Sequence, residues 1–127
     1  MYDVLIIGCG ISGAAAAFEL SKYRLKVAVL EKENDVSTGT TKANSAILHA
    51  GYDPEPGTLM ARLNVRGSAL ARTLCAALDV PYRPCGSLVL GFSEADRAAL
   101  QALWQRGRAN GVPGLALLTG DQARALE

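Results

Sequence analysis

The chain has 127 residues, half of them hydrophobic and a fifth charged, which excludes disorder and gives a single domain enough apolar material for a core. Thirteen Lys and Arg stand against twelve Asp and Glu, so charge offers no argument for nucleic acid or an anionic membrane as partner. Cys9, Cys75 and Cys85 have neither metal-ligand spacing nor the even number of a disulfide framework, and reduced thiols in a cytoplasmic protein are the expectation.

Met1-Tyr2-Asp3 lead straight into an apolar run, with no basic segment or cleavage site before it. No later apolar stretch approaches the length of a membrane span. Val4-Leu5-Ile6-Ile7, stopped by Gly8, reads as a strand buried on both faces, as in a parallel sheet. Ala14 to Lys22 is alanine-rich and free of breakers, which predicts a helix. Lys26-Val27-Ala28-Val29-Leu30 is a second strand, and the three pieces make a βαβ unit with a right-handed crossover. Lys32 to Asn44 is a polar Thr/Ser/Gly loop, and Gly51 to Gly57 is dense in turn residues.

From Thr58 to Leu78, Leu59, Leu63, Leu70, Leu74 and Leu78 recur at helical spacing. This predicts a long helix with Thr58 as N-cap. Arg62, Arg66 and Arg72 on the same segment read as a solvated face. After Pro81 and Pro84, Ser87 to Phe92 reads as a strand. Ser93 and Asp96 open an amphipathic helix to Asn110, stopped by Gly111-Val112-Pro113-Gly114. Leu115 to Leu118 reads as a short strand, and Asp121 starts a last helical segment. One βαβ unit and these later elements do not complete a doubly wound sheet, so the chain reads as the opening of a longer protein.

Gly8-Cys9-Gly10-Ile11-Ser12-Gly13 is G-x-G-x-x-G between a strand and a helix. Gly8 permits the turn out of the strand, Gly10 lets backbone approach a diphosphate, and Gly13 lets the helix pack close to the strand. The helix then points unpaired N–H groups at the phosphates. Glu31 ends the second strand, where a carboxylate accepts from ribose hydroxyls and repels a 2′-phosphate. These features point to dinucleotide binding and do not separate FAD from NAD.

Read with Thr40-Thr41-Lys42-Ala43-Asn44-Ser45-Ala46-Ile47-Leu48-His49-Ala50-Gly51-Tyr52 and Pro56-Gly57-Thr58-Leu59, the first eighty residues resemble the FAD-dependent oxidoreductase family of D-amino acid oxidase and glycerol-3-phosphate dehydrogenase. Within it they look most like the bacterial anaerobic-type glycerol-3-phosphate dehydrogenases and the L-2-hydroxyglutarate oxidases. The resemblance implies an α/β fold: a Rossmann-like FAD-binding βαβ domain, incomplete here, occupying residues 1–80. Residues 81–127 would begin a mixed-sheet substrate domain.

The resemblance also places residues around the cofactor. Gly8, Gly10, Ser12, Gly13 and Ala14 would surround the FAD diphosphate, Glu31 the adenosine ribose, and Lys32 the adenine end. Thr40, Thr41, Asn44 and Ser45 would run along the diphosphate and ribityl chain. His49, the only histidine, would lie near the flavin ring and act as catalytic base or as positive charge. Tyr52, Lys42 and Arg62 are better explained by packing or solvation.

The implied reaction is oxidation of a hydroxyl-bearing carbon with hydride transfer to FAD. sn-Glycerol 3-phosphate going to dihydroxyacetone phosphate is the first substrate, and a 2-hydroxy acid such as L-2-hydroxyglutarate the alternative. An NAD-dependent dehydrogenase or a non-catalytic nucleotide-binding module would also use the glycine turn. The expected partners are a small-molecule substrate and no nucleic acid, with an electron-acceptor subunit or peripheral membrane contact left open. The substrate arginines and a second flavin-binding motif are expected beyond Glu127, so this span alone is expected to be inactive.

Overall fold

Apolar β-branched runs favour strands because their side chains pack well on a pleated surface. In the computed structural model, which describes residues 1–126, two such runs pair. Strand β1 (Val4–Ile7) and strand β2 (Val27–Leu30) form a parallel ladder in the register Val4 to Val27, Leu5 to Ala28, Ile6 to Val29 and Ile7 to Leu30. Asp3 fixes the start of the pairing: its N–H donates to the Lys26 carbonyl at 2.9 Å, and its carboxylate accepts the Lys26 N–H at 2.7 Å. Helix α1 (Ile11–Leu20) joins the strands and lies against both.

Alternation along β1 divides its side chains between two faces. Val4 and Ile6 are half-buried, whereas Leu5 and Ile7 are exposed, Ile7 by 86%. The strand is therefore covered on one face only, contrary to the expectation of burial on both. The cause is that a single crossover helix covers a single face of its sheet.

The chain resolves into two units, the first ending at Ile47 and the second starting at Leu48. The second unit is helical. Helix α2 (Leu59–Ala77) begins at Thr58, whose hydroxyl accepts the Ala61 N–H at 3.2 Å. Its stop is a Schellman arrangement: the Val80 N–H reaches the Cys75 carbonyl and the Asp79 N–H the Ala76 carbonyl. Asp79 adopts the left-handed conformation usually given to glycine, with φ of 53°.

Helix α3 (Glu94–Ala109) opens with a full capping box. The Ser93 hydroxyl accepts the Asp96 N–H at 3.2 Å, and the Asp96 carboxylate accepts the Ser93 N–H at 3.0 Å. It closes on a second Schellman motif, with the Val112 N–H on the Gly107 carbonyl, the Gly111 N–H on the Arg108 carbonyl, and Gly111 at φ of 79°. Helix α4 (Gly120–Arg124) is short and capped by Thr119 with Gln122.

Packing of α2 inverts the sequence pattern. At about 100° per residue, Ala61, Asn64, Val65, Ser68, Ala71 and Cys75 share one face, and these are its buried or half-buried positions, Ala61 only 2% exposed. Leu59, Leu63, Leu70 and Leu74 lie on the opposite face and are exposed, Leu63 by 56%. Small side chains allow backbone to approach: a Cβ on Gly51 would come within 2.8 Å of Val65 Cγ2. The close-packed partner of the helix is the loop that precedes it.

Ser87–Phe92 and Leu115–Leu118, expected as strands, form no ladder. A strand exists through its hydrogen bonds to a neighbour, and among the described residues neither segment has one. Both instead line an open cavity of about 380 Å³ in the second unit, together with Leu100, Leu103 and Trp104 of α3. Among the described residues no helix is long and apolar enough to cross a membrane.

Candidate nucleotide-binding site

β1 ends at the Gly8-Cys9-Gly10 turn, where Gly8 has φ of 95°, a conformation that excludes most side chains. Gly10 is the N-cap of α1 and supplies no side-chain cap. The first N–H groups of a helix have no internal acceptors. Here only one of them is answered by the protein: the Ile11 N–H donates to Thr41 Oγ1 at 3.0 Å, from thirty residues away. The N–H groups of Gly10, Ser12 and Gly13 find no acceptor among the described residues. They sit at the positive end of the helix dipole, a ready-made anion site.

Two glycines make that site possible for different reasons. A Cβ at Gly13 would lie 1.9 Å from the Gly8 carbonyl oxygen and 3.3 Å from Ile6 Cγ2, so this glycine is what lets α1 approach the turn. A Cβ at Gly10 would lie 2.9 Å from Thr41 Oγ1, in the space above the helix N-terminus. Gly13 serves packing; Gly10 keeps the approach to the N–H groups clear.

Glu31 follows β2 directly and is tied to the turn. Its Oε2 accepts the Cys9 N–H at 2.7 Å, while Oε1 accepts the N–H groups of Lys32 at 2.9 Å and Glu33 at 3.1 Å. These bonds, the one from Cys9 foremost, hold the Glu31 carboxyl below its ordinary value of 4.5, because donors to a carboxylate favour the ionised form. A carboxylate has about four lone-pair directions, and three are used, which leaves one on Oε2 for a hydroxyl.

The loop after Glu31 wraps back over the turn. The Ser37 N–H donates to the Cys9 carbonyl at 3.1 Å, and Thr41 caps α1 as described. Between turn, strand end and loop lies a cleft of about 610 Å³. Of the residues singled out in the sequence, Gly8, Gly10, Glu31, Lys32, Thr40 and Thr41 line it. Ser12, Gly13 and Ala14 form the first turn of α1 beside it. Lys32 sits at the rim with its ammonium 3.5 Å from the Glu33 carboxylate and is almost fully exposed.

The remaining named residues lie elsewhere. Asn44 bonds locally, its amide donating to the Thr41 carbonyl and its Oδ1 accepting the Ala46 N–H at 2.6 Å, and Ser45 is exposed beyond it. His49 is exposed and belongs to the second unit.

Sequence reasoning passed over Glu33, Ser37, Thr38 and Gly39, which also line the cleft. Their signal was the density of Ser, Thr and Gly itself. It marks a loop without saying which loop residues turn inward.

Comparison with known proteins agrees with this geometry. The family model described as "FAD dependent oxidoreductase" matches residues 3–127. The chain is 50% identical over 127 residues to a glycerol 3-phosphate dehydrogenase of Caloramator mitchellensis, covering 100% of this chain and 26% of that protein. It is 37% identical over 128 residues to the human mitochondrial L-2-hydroxyglutarate dehydrogenase, covering 99% of this chain and 28% of that protein. Among solved structures, the dithionite-reduced L-α-glycerophosphate oxidase of Mycoplasma pneumoniae with FAD bound superposes with a TM-score of 0.84 at 36% identity, over 99% of this chain and 34% of that one. The chain thus spans about a quarter to a third of the length of these relatives.

Proposed function

This chain belongs to the FAD dependent oxidoreductase family, and we propose that it holds the adenosine and diphosphate end of FAD in an enzyme oxidising sn-glycerol 3-phosphate to dihydroxyacetone phosphate. The observation that carries this reading is the cleft. It joins unanswered helix N–H groups, a glycine that leaves room beside them, and a carboxylate with one lone pair to spare. That donor set fits a diphosphate beside a ribose diol. An NAD-dependent dehydrogenase, the other reading of the same turn, gives way to the family assignment.

In this proposal Gly8, Gly10, Ser12, Gly13 and Ala14 surround the diphosphate, the unanswered N–H groups of Gly10, Ser12 and Gly13 donating to it while those of Gly8 and Ala14 stay on the Leu30 and Gly10 carbonyls, and Glu31 accepts a ribose hydroxyl. Lys32 lies at the adenine end. Thr40, Thr41, Asn44 and Ser45 follow the diphosphate and ribityl chain with short polar groups that bond a polyol without filling the channel. FAD, when bound, supplies the two-electron acceptance that no side chain offers. His49 takes the proton of the substrate hydroxyl, or carries positive charge beside the reduced cofactor.

Residues 1–80 then form the amino-terminal part of the FAD domain, and residues 81–127 open the substrate domain, Glu127 lying outside the described residues. The protein is cytoplasmic in this reading, in keeping with three unpaired cysteines. The span on its own does not turn over substrate. L-2-Hydroxyglutarate is the second substrate reading, favoured by the 37% identity to the human L-2-hydroxyglutarate dehydrogenase.

The test is an absorption spectrum of the full-length protein before and after acid precipitation. Release of flavin into the supernatant supports non-covalent FAD. Anaerobic bleaching by sn-glycerol 3-phosphate or by L-2-hydroxyglutarate then chooses the substrate. A colourless protein that added FAD does not restore sinks the proposal.

A further inference from the structure

Within the second unit, Gly51–Pro54 begins two residues after His49, and the last turn of α3 grips it from more than fifty residues away. Asn110, the C-cap of α3, donates both hydrogens of its amide, one to the Gly51 carbonyl at 2.9 Å and one to the Pro54 carbonyl at 2.8 Å. Arg106 Nη1 donates to the Asp53 carbonyl between them at 2.9 Å. Gly107 removes the side chain that would keep the two apart: a Cβ there would stand 2.8 Å from Tyr52 Cβ and 3.3 Å from Tyr52 Cα. On the loop's other side Gly51 meets Val65 and Asn64 of α2 just as closely. Gly51 and Pro54 are buried as a result.

Three features mark this as a fixture and not incidental packing. Both acceptors of Asn110 are carbonyl oxygens, so the amide nitrogen must face them. Its Oδ1 is left buried with no partner among the described residues, a cost that needs an explanation in a native fold. The residue doing the gripping is itself fixed, since the Schellman motif with left-handed Gly111 ends α3 immediately after Asn110.

We propose that Asn110, with Gly107 and Arg106, is the positioning device for His49. It acts through the Gly51–Pro54 loop to fix the segment on which the imidazole is carried. The inference rests on the proposed role of His49 in the oxidation. Catalytic placement is sensitive on the scale of 1 Å, and the bond to the Gly51 carbonyl is made only two residues from His49. The first unit, where FAD is held, makes no use of these bonds, so cofactor binding is expected to survive their loss.

The experiment uses the full-length, FAD-loaded enzyme with sn-glycerol 3-phosphate, then L-2-hydroxyglutarate, and an artificial electron acceptor. Three variants remove the grip in different ways. Asn110→Asp keeps shape but removes the donor, Gly107→Ala pushes the loop away, and Arg106→Ala deletes the single bond of a half-buried side chain. His49→Asn is the reference.

The expectation for Asn110→Asp is a kcat lower by about 10–100-fold, with KM within threefold and bound FAD unchanged. The pH profile of kcat should lose or displace the limb that His49→Asn abolishes. Gly107→Ala should follow it, and Arg106→Ala should show the same pattern more weakly. Arg106→Ala keeps the test decisive if either of the others fails to hold FAD. Wild-type kcat and pH profile in the FAD-loaded grip variants, while His49→Asn is impaired, overturn the positioning role alone. Wild-type turnover by His49→Asn overturns the underlying role of His49.

Discussion

Replacing Gly13 by alanine is the sharpest perturbation the site offers. Its new methyl would lie 1.9 Å from the Gly8 carbonyl oxygen, against about 3.3 Å for an ordinary C···O contact. Both groups belong to backbone, so no rotamer relieves the clash, and α1 must retreat by about 1.4 Å, the difference of those two distances. Overpacking of this kind costs about 1–3 kcal/mol of stability. A displacement of ~1 Å at the N–H groups that receive a diphosphate is expected to weaken FAD by about 100-fold, or ~2.7 kcal/mol. Alanine occupies this position in some dinucleotide folds, so the expectation belongs to this backbone and its separation of helix and turn. The assay is FAD affinity of the full-length protein by flavin fluorescence, with thermal melting of the FAD-free form alongside. Gly10→Ala is the control. Its methyl meets only Thr41 Oγ1, at 2.9 Å, a side chain that can rotate. It should lower the stability of the FAD-free form by no more than the loss of the Thr41 bond to Ile11, about 1 kcal/mol, and still weaken FAD. Gly13→Ala protein that melts like wild type and binds FAD within threefold refutes the packing argument.

Three other outcomes follow from the geometry. Asp79→Gly relieves a left-handed residue at the end of α2, and should stabilise the protein by about 0.5–1 kcal/mol in denaturant titration. Ser93→Ala removes the hydroxyl that accepts the Asp96 N–H, costing about 1 kcal/mol in the same assay. Glu31 has a folded-state value depressed below 4.5 by the Cys9, Glu33 and Lys32 N–H groups. Its stabilising effect is fully present above pH 4.5 and is lost as pH falls through the depressed value. Glu31→Gln should therefore flatten the acid side of a stability-against-pH curve and leave the neutral slope alone; an unchanged acid side would contradict the bonding seen at Oε1 and Oε2.

Local signals carried further than long-range ones. Thr58, Ser93 with Asp96, and the Gly111 stop were readable because a cap is a contact between residues three to five apart. The βαβ unit and its glycine turn were readable because the turn's chemistry dictates glycine at fixed spacing. Ser87–Phe92 and Leu115–Leu118 have the composition of strands, but composition cannot supply the neighbour that a ladder requires. The leucine stripe of α2 marked a helix without marking which face is covered, because the loop at Gly51 packs against Asn64 and Val65 on the opposite side from the leucines.

Within the site, the glycines and Glu31 were legible. The tertiary bonds of Thr41 to Ile11 and of Ser37 to Cys9 were not, since any hydroxyl in that loop could have made the first and any backbone N–H of it the second. The grip of Asn110 had no sequence signal at all: a helix-terminal asparagine is ordinary until its two acceptors are seen.

The spans of these bonds set an order of assembly. Glu31 reaches Cys9 over 22 residues and Thr41 reaches Ile11 over 30, whereas Asn110 reaches Gly51 over 59. In closure entropy the longest loop costs only about 0.9 kcal/mol more than the shortest. In time the gap is larger. A ribosome adding about 5–20 residues per second delivers Asn110 roughly 4–16 s after Glu31. The turn that faces the cleft can close while the His49 arm still lacks its anchor, so a nascent chain completes its nucleotide cradle before its histidine has a fixed address.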